Sequence, residues 1–188
     1  MAIQENKAPS YCEGLLIVEG IMNSIFERRS IRRFIKKQIP EDILRSVLEA
    51  GMYAPSAGNE QPWEFMVIRS RKLLEQLCSA HPHAKALLSC DTAVVVCGDL
   101  SQQKYSVQYW VLDCALAGQN IMLQAQEFGV GSVWLGVYPC EYRTENIAHI
   151  LGLPQGIIPL CIIALGYPAE TAEKPDRYQK EKIHWDKW

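Results

Sequence analysis

The sequence lacks most of the short motifs that identify the large enzyme classes. It contains no G-x-G-x-x-G dinucleotide-binding turn, no G-x-x-x-x-G-K-[ST] phosphate loop, no G-x-S-x-G nucleophile motif and no H-E-x-x-H zinc motif. Its seven cysteines are odd in number and scattered, and they include no C-x-x-C pair. These absences argue against a Rossmann dehydrogenase, a P-loop NTPase and a disulfide framework, and they favour reduced thiols in the cytoplasm.

Charge and hydropathy are also unremarkable. The formal net charge is -2, with 48% apolar and 21% charged residues, which is typical of soluble globular proteins and gives no general attraction to nucleic acid or membrane. The longest apolar runs, such as 157–166, are about half of the ~20 residues that span a bilayer. With 188 residues and no repeat or linker, we expect one domain over residues 20–188, preceded by an N-terminal arm over residues 1–19.

Hydrophobic periodicity predicts a mixture of helices and strands without strict βαβ alternation. The predicted helices cover 20–28, 41–53, 72–79, 105–128 and 141–151; the predicted extended segments cover 31–34, 63–69, 93–98, 132–138 and 157–166. The helix over 105–128 is apolar on more than one face, so it must be buried on several sides. In a chain of this size, the additional buried side is expected to come from a partner subunit.

A dense basic segment runs R-R-S-I-R-R-F over residues 28–34. Planar guanidinium groups beside a hydroxyl suit a phosphate monoester, because they provide paired donors and one neutral donor. In an extended stretch, Arg32 and Arg33 face opposite sides. A basic surface turn is an alternative interpretation. A nucleic-acid patch is another, although this segment has no interleaved aromatic residues.

A second segment, A-P-S-A-G-N-E-Q-P-W over residues 54–63, must be a loop that leads into a strand. Its small residues and two prolines allow the backbone to approach a flat ligand closely. Ser56, Asn59 and Gln61 offer directional hydrogen bonds. An ordinary connecting loop remains the alternative.

Together with two later segments, these motifs resemble the FMN-dependent nitroreductase family. The third motif is G-V-G-S-V-W-L-G over 129–136, and the fourth is L-G-Y-P over 165–168, followed by Arg177, Lys182, His184 and Trp188. Each motif alone is unspecific, but the four occur in the family's order and spacing. The resemblance covers about residues 20–188.

This resemblance implies an α+β fold with a four- or five-stranded, mostly antiparallel central sheet flanked by helices. It also implies an intertwined homodimer with two equivalent FMN sites in the interface. The implied FMN-binding residues fall into three groups: Arg28, Arg29, Ser30, Arg32 and Arg177 at the phosphate, ribityl chain or pyrimidine edge; Pro55, Ser56, Ala57, Asn59 and Gln61 from the other subunit beside the ring; and Leu135 and Gly136 with backbone amides near flavin N5 and O4.

The implied activity is that of an NAD(P)H-dependent oxidoreductase. Hydride from NADH or NADPH reduces the flavin at N5, and a small electron-poor acceptor such as a nitroaromatic or quinone then uses the same space, which predicts ping-pong kinetics. No side chain is assigned as catalytic, and the Cys78, His81, His83 and Cys90 group lacks zinc-site spacing, so no metal is expected.

Other functions remain open on the same motifs. The same scaffold could perform reductive dehalogenation, enone reduction or flavin fragmentation, or the chain could be a non-catalytic flavin-binding module. The short segment over residues 99–104 argues against a dedicated substrate lid.

Overall fold

The computed structural model describes residues 24–188. Its complete α-helices and strands, in chain order, are α1 (Glu41–Met52), β1 (Trp63–Ile68), α2 (Arg71–Ala80), β2 (Thr92–Asp99), α3 (Trp110–Glu127), β3 (Gly131–Gly136), α4 (Glu141–Leu151) and β4 (Ile157–Gly166). Residues 24–27 are helical. The predicted N-terminal arm over 1–19, and the first part of the predicted helix over 20–28, lie outside the described residues.

The four strands form one antiparallel sheet in the order β1-β2-β4-β3. Alternate residues of β2 face opposite cores: Val94 packs with α1 and α3, whereas Val95 packs with α2 and α4. Because both faces are covered, β2 is apolar from Ala93 to Cys97 and does not alternate with polar residues there. The predicted α+β fold, a mostly antiparallel sheet flanked by helices, is confirmed.

The extended basic segment runs beside the outer edge of β3. Ser30 forms a parallel bridge with Ser132, and the Ile31 amide donates to the Ser132 carbonyl at 2.9 Å. Phe34 forms an antiparallel bridge with Pro168, just beyond β4. These pairings bring the arginine motif next to both β3 and the chain that follows the last strand.

The helix predicted over 105–128 begins later than expected, at Trp110. Contacts with the 54–62 loop hold the preceding residues outside the helix. The Lys104 amide donates to the Glu60 carboxylate, and the Tyr105 ring lies against Gly58. Tertiary packing therefore overrides local helix propensity here.

One stripe of α3 remains uncovered in the protomer. Trp110 and Ile121 are buried against the sheet, whereas Leu112 and Leu116, one turn apart, are 60% and 45% exposed. A helix with apolar residues on both its inner and outer faces is typical of an element that packs against more than one neighbour.

Several buried cysteines behave as apolar core residues. Burial raises the pKa of the Cys90, Cys97 and Cys114 thiols to about 12, so these thiols stay protonated. The cysteines that the structure describes are free thiols. Over the same part of the chain, no helix combines the length and apolar character needed to cross a membrane.

Candidate functional site

Three arginines from distant parts of the chain meet at one cleft. Arg28 and Arg29 follow the helical turn over 24–27, and Arg177 belongs to the C-terminal tail. With neighbours that include Lys174, they line a cleft of about 460 Å³. Among residues 24–188, the ion pairs are Arg33–Glu170 and Arg69–Glu41, so none of the three arginines in the cleft has an acidic partner.

Asp176 also lines this cleft, but it does not neutralise the arginines. One of its carboxylate oxygens accepts the amide of Tyr178 at 3.2 Å, and no guanidinium lies within ion-pair distance of it among the described residues. Within residues 24–188, the cleft is therefore a concentration of positive charge without an ion-paired counter-ion.

The environment of Arg28 shows how strongly these charges interact. Burial, together with the positive charges of Arg177 and Arg29, lowers the pKa of the Arg28 guanidinium. Like charges held together without a counter-ion disfavour their own ionisation, and an anion placed between them would relieve that repulsion. Guanidinium groups also match the oxygens of a phosphate with paired hydrogen bonds. These residues therefore fit a phosphate monoester.

The C-terminal tail is fixed against the arginine motif by backbone contacts. The Ala169 amide donates to the Arg33 carbonyl at 2.9 Å, and Arg29 Nε donates to the Glu173 carbonyl at 2.9 Å. These contacts hold the tail at the point from which Arg177 reaches the cleft.

Glu170 sets the positions of two neighbouring arginines. Its carboxylate accepts the Arg32 amide at 2.6 Å and Arg33 Nε at 2.8 Å. These hydrogen bonds, that of the Arg32 amide first, lower the pKa of the Glu170 carboxyl. The Arg32 guanidinium instead donates to the Ser30 carbonyl at 3.2 Å. Arg32 and Arg33 therefore have different partners.

The 54–62 loop adopts a backbone conformation that few residue types favour. Gly58, Asn59 and Gln61 have φ angles of 53°, 54° and 49°. The Ser56 hydroxyl accepts the Gln61 amide, and Asn59 Oδ1 accepts from the Gln61 side chain, both at 3.0 Å. Left-handed conformations at non-glycine residues persist only where the surroundings enforce them, and they cluster at functional sites.

Two buried carboxyl groups lie beside this loop. Asp113, in the first turn of α3, accepts the Ala57 amide through Oδ1 at 3.1 Å, and Glu60 accepts the Lys104 amide. Asp113 is 4% and Glu60 7% exposed. Burial raises the pKa of the Asp113 carboxyl and the charge of Glu60 raises it further, against the opposing hydrogen bond from Ala57.

The end of β3 is held by two side chains. The Gly136 carbonyl accepts from His81 Nε2 at 2.8 Å and from Arg143 Nη1 at 3.0 Å. His81 Nδ1 accepts the His83 amide at 3.2 Å, which places the ring proton on Nε2. The Leu135 side chain lies in the core, so only the backbone of residues 135 and 136 is free to face a ligand.

Within one protomer, the predicted site residues form two separate groups. No hydrogen bond or ion pair between described residues joins the 54–62 loop to the arginine cleft. The first group contains Arg28, Arg29, Ser30, Arg32 and Arg177, and the second contains Pro55, Ser56, Ala57, Asn59 and Gln61. Leu135 and Gly136 lie on the side of the first group, because they end β3, the strand whose beginning pairs with Ser30.

Comparison with known proteins identifies the family of the chain. The model of the nitroreductase family matches residues 25–89 and 82–167. A protein of Methanothermobacter thermautotrophicus, provisionally named NADH dehydrogenase/NAD(P)H nitroreductase, is 38% identical over 185 residues, which cover 98% of this chain and 96% of that protein. The chain belongs to the nitroreductase family. The predicted family and oxidoreductase class are thereby confirmed.

Solved structures of nitroreductase-family proteins have the same fold. A Bacteroides thetaiotaomicron protein with that same provisional name superposes with a TM-score of 0.85 at 39% identity, covering 89% of this chain and 98% of the other. An FMN-dependent nitroreductase of Clostridium difficile superposes with a TM-score of 0.83 at 26% identity, covering 89% of this chain and 99% of the other.

Sequence reasoning missed the residues that support this candidate site. Glu170 reaches the Arg32 amide across 138 positions, His81 reaches Gly136 across 55, and Asp113 reaches Ala57 across 56. Only Asp113 carries a local signal: it is the single acidic residue in the apolar run W-V-L-D-C-A-L-A. A lone acid in such a run indicates a buried carboxyl with a specific partner.

Proposed function

We propose that this nitroreductase binds FMN non-covalently and uses electrons from NADH or NADPH to reduce small electron-poor acceptors such as nitroaromatics or quinones. The observation that carries this proposal is the cleft in which Arg28, Arg29 and Arg177 converge without an ion-paired acid in the described part of the chain. Support comes from the Clostridium difficile relative, described as FMN-dependent, and from the NAD(P)H nitroreductase name of the Methanothermobacter relative. FMN, when bound, supplies the two-electron redox chemistry.

Different residues are assigned to different parts of FMN. Arg28, Arg29 and Arg177 hold the phosphate through charge-assisted hydrogen bonds, and Ser30 adds a neutral donor. Arg32 lies towards the pyrimidine edge. The remaining assigned residues border the ring: Pro55, Ser56, Ala57, Asn59 and Gln61 from the partner subunit, and the backbone amides of Leu135 and Gly136 near flavin N5 and O4. No side chain is assigned as a catalytic acid or base.

The shape of the basic segment favours this function over nucleic-acid binding. Ile31 and Phe34 are buried in the core, and Arg33 is paired with Glu170. The segment therefore presents a small group of arginines at a cleft and not a continuous basic face along which a nucleic-acid backbone could run.

The site also requires a homodimer in this proposal. The arginine cleft and the 54–62 loop do not meet in one protomer, and Leu112 and Leu116 leave an apolar stripe on α3. Tyr178 and Trp185 of the tail are 73% and 82% exposed. A second copy of the chain that covers this stripe would place the loop of one subunit beside the cleft of the other, and contiguous apolar surfaces of this kind mark interfaces.

Flavin binding by arginine variants tests the proposal. The purified protein is expected to be yellow, and Arg28→Ala and Arg177→Ala should each weaken FMN binding by about ten- to over a hundred-fold, the equivalent of about 1.5–3 kcal/mol. Riboflavin, which has no phosphate, should lose much less. Arg33→Ala is the matched control, because its guanidinium is already paired with Glu170. Equal losses of affinity for FMN and riboflavin would show that these arginines do not bind the phosphate.

Anaerobic reduction then tests the enzymatic part. NADH or NADPH should bleach the bound flavin, and addition of a nitroaromatic or quinone should restore its colour. A protein that binds FMN but is not bleached by either nicotinamide is a flavin-binding module and not this oxidoreductase.

A further inference from the structure

The Gly136 carbonyl, at the end of β3, accepts hydrogen bonds from two different elements. His81 Nε2, just after α2, donates to it at 2.8 Å, and Arg143 Nη1, in the first turn of α4, donates to it at 3.0 Å. His81 is 2% exposed, and its Nδ1 accepts the His83 amide at 3.2 Å, so both ring nitrogens have fixed roles. A buried neutral donor and a charged donor therefore hold one backbone oxygen.

The same peptide group is also bonded on the side of β4. The Val137 amide donates to the Leu160 carbonyl at 3.0 Å. This amide and the Gly136 carbonyl belong to one peptide unit, and hydrogen bonds at the two ends of a peptide unit polarise it in the sense that strengthens both. The peptide between residues 136 and 137 therefore has one fixed orientation relative to the sheet.

The backbone amide of Gly136 faces away from β4. In an antiparallel pair, successive residues turn their backbone groups alternately toward the partner strand and away from it. The carbonyls of Ser132 and Gly136, four residues apart, both turn outward, the first to the Ile31 amide at 2.9 Å and the second to His81 and Arg143. Because a strand residue turns its amide and its carbonyl to the same side, the Gly136 amide also lies at the outer edge.

The space beside Gly136 is open. Among the described residues, a Cβ at this position would come no closer than 3.7 Å to a neighbouring atom, Trp134 Nε1, which is an ordinary contact. The residue is also outside the group of glycines with positive φ. Neither packing within the protomer nor backbone conformation therefore requires a glycine here, whereas close approach of a flat ligand to the backbone does.

We propose that His81 and Arg143 are positioning residues of the flavin site. Through the Gly136 carbonyl they hold the end of β3, so that the outward amide of Gly136 is fixed against the flavin ring. Neither side chain is a catalytic residue, because each acts through the strand. The link to flavin rests on the proposed function, whereas the fixing of the strand end rests on the hydrogen bonds of the protein alone.

Substitutions of His81 distinguish a hydrogen-bond donor from a side chain that only fills space. His81→Leu removes the donor at similar volume and should weaken FMN and riboflavin by the same factor, about three- to tenfold, because both ligands share the ring. His81→Gln keeps an N–H donor at a similar distance from the backbone and should restore most of the affinity. His149→Leu, at an exposed position of α4, is the control.

Arg143 and Gly136 provide two further variants. Arg143→Met keeps an unbranched side chain but removes the second donor, so the double variant His81→Leu/Arg143→Met leaves the Gly136 carbonyl without either. Its loss of affinity for both flavins should exceed the product of the two single losses, since each donor alone still holds the carbonyl. Gly136→Ala places a methyl group in the open space, and should weaken both flavins while unfolding at about the wild-type temperature.

Hydrogen exchange of the Val137 amide provides a measurement that needs no flavin. In the double variant the end of β3 should open more often, so this amide should exchange about tenfold faster or more than in the wild type. The Ile31 amide, which is bonded to Ser132 near the beginning of the same strand, should keep its wild-type rate. The full chain is used with and without added FMN.

Three results would overturn the positioning role. His81→Gln as damaged as His81→Leu would show that the imidazole ring, and not its donor, matters. Unchanged Val137 exchange in the double variant would show that the pair does not hold the strand end. A loss of FMN affinity without a loss of riboflavin affinity would place the effect at the phosphate. A wild-type protein that binds no flavin contradicts the proposed function, and Val137 exchange would still decide whether the pair holds β3.

Discussion

The arginine cleft and the 54–62 loop are stabilised in opposite ways. In the cleft, side chains of one charge are held together by the backbone of the tail, and Arg28 and Arg177 form no ion pair with an acid among residues 24–188. In the loop, the backbone itself is strained at Asn59 and Gln61, and buried acids restrain it. The cleft therefore stores electrostatic repulsion that a ligand relieves, whereas the loop stores conformational strain that its neighbours must balance.

This difference predicts how each region responds to substitution. Changes in the cleft should act through charge and should discriminate a phosphorylated ligand from one without a phosphate. Changes in the loop should act through shape and should affect both ligands alike.

The largest effect is expected where the two regions are brought together. Leu116→Glu places a carboxylate in the middle of the apolar stripe on α3, and a dimer would bury it without a partner at a cost of several kcal/mol. We expect insoluble or flavin-free protein, measured by sedimentation and by absorbance. Gln76→Glu, at an exposed position on α2, is the control. A soluble monomer with normal FMN affinity would show that both regions act within one subunit.

A smaller effect is expected from steric change in the loop. Gly58 has a φ of +53°, and a Cβ there would lie 2.6 Å from the Tyr105 hydroxyl oxygen. Gly58→Ala should therefore push Tyr105 aside and weaken FMN and riboflavin by a similar, several-fold factor. Flavin titrations of both ligands measure this.

Gly129→Ala is the control for Gly58→Ala, because it introduces the same backbone strain without a steric contact. Gly129 also has a positive φ, +66°, but nothing lies within 4 Å of its Cβ position. It should lower stability by about 1 kcal/mol, the usual cost of a left-handed alanine, without changing flavin affinity. A Gly58→Ala protein that loses FMN alone would contradict the assignment of the loop to the ring.

A moderate effect is expected from the acid that positions Arg32 and Arg33. Glu170→Ala removes the acceptor for the Arg32 amide and Arg33 Nε, so it should weaken FMN and riboflavin by a similar, several-fold factor, because Arg32 is placed near the pyrimidine edge that both flavins share. Glu173→Ala is the matched control, because Glu173 contacts Arg29 through its backbone carbonyl. Equal effects of both substitutions would show that the backbone of the tail, and not the Glu170 carboxylate, holds the arginine motif in place.

The pH dependence of the Glu170 contribution has a definite sign. Its carboxyl pKa is lowered below the ordinary 4.5 in the fold. The contribution is therefore complete above that value and is lost as pH falls through the lowered pKa. The difference between wild type and Glu170→Ala in FMN affinity should be constant near neutrality and shrink only in acid.

The smallest effect concerns the redox potential. The Arg32 guanidinium, placed near the pyrimidine edge, should favour the anionic reduced ring. Arg32 is exposed, so solvent reduces the interaction to about 1 kcal/mol, or about 20 mV for a two-electron couple. Arg32→Ala should lower the midpoint potential in a spectroelectrochemical titration, and Arg33→Ala should leave it unchanged. A larger shift in Arg33→Ala would show that Arg33, and not Arg32, faces the flavin ring.

Local patterns explain why much of the fold was predictable. The helix of α4 and the strand β4 have the predicted bounds, 141–151 and 157–166, because a hydrophobic period within one segment reports its own secondary structure. The helix α3 was predicted five residues too long at its beginning. Tyr105, the first residue of the predicted helix, lies against Gly58, and the amide of the preceding Lys104 donates to Glu60. No local period encodes such a contact.

The candidate site likewise contains residues that local patterns reveal and residues that they do not. The sequence by itself determined the arginine motif, the small-residue loop and the family, because those signals lie within short stretches of chain. The family resemblance implied that Arg177 joins Arg28, and the tertiary structure shows the two side by side. Only the tertiary structure decided that His81 holds Gly136 and that Asp113 meets the loop beside Glu60. Those contacts join residues more than fifty positions apart, and their energies depend on burial and charge that exist only once the sheet and helices have packed.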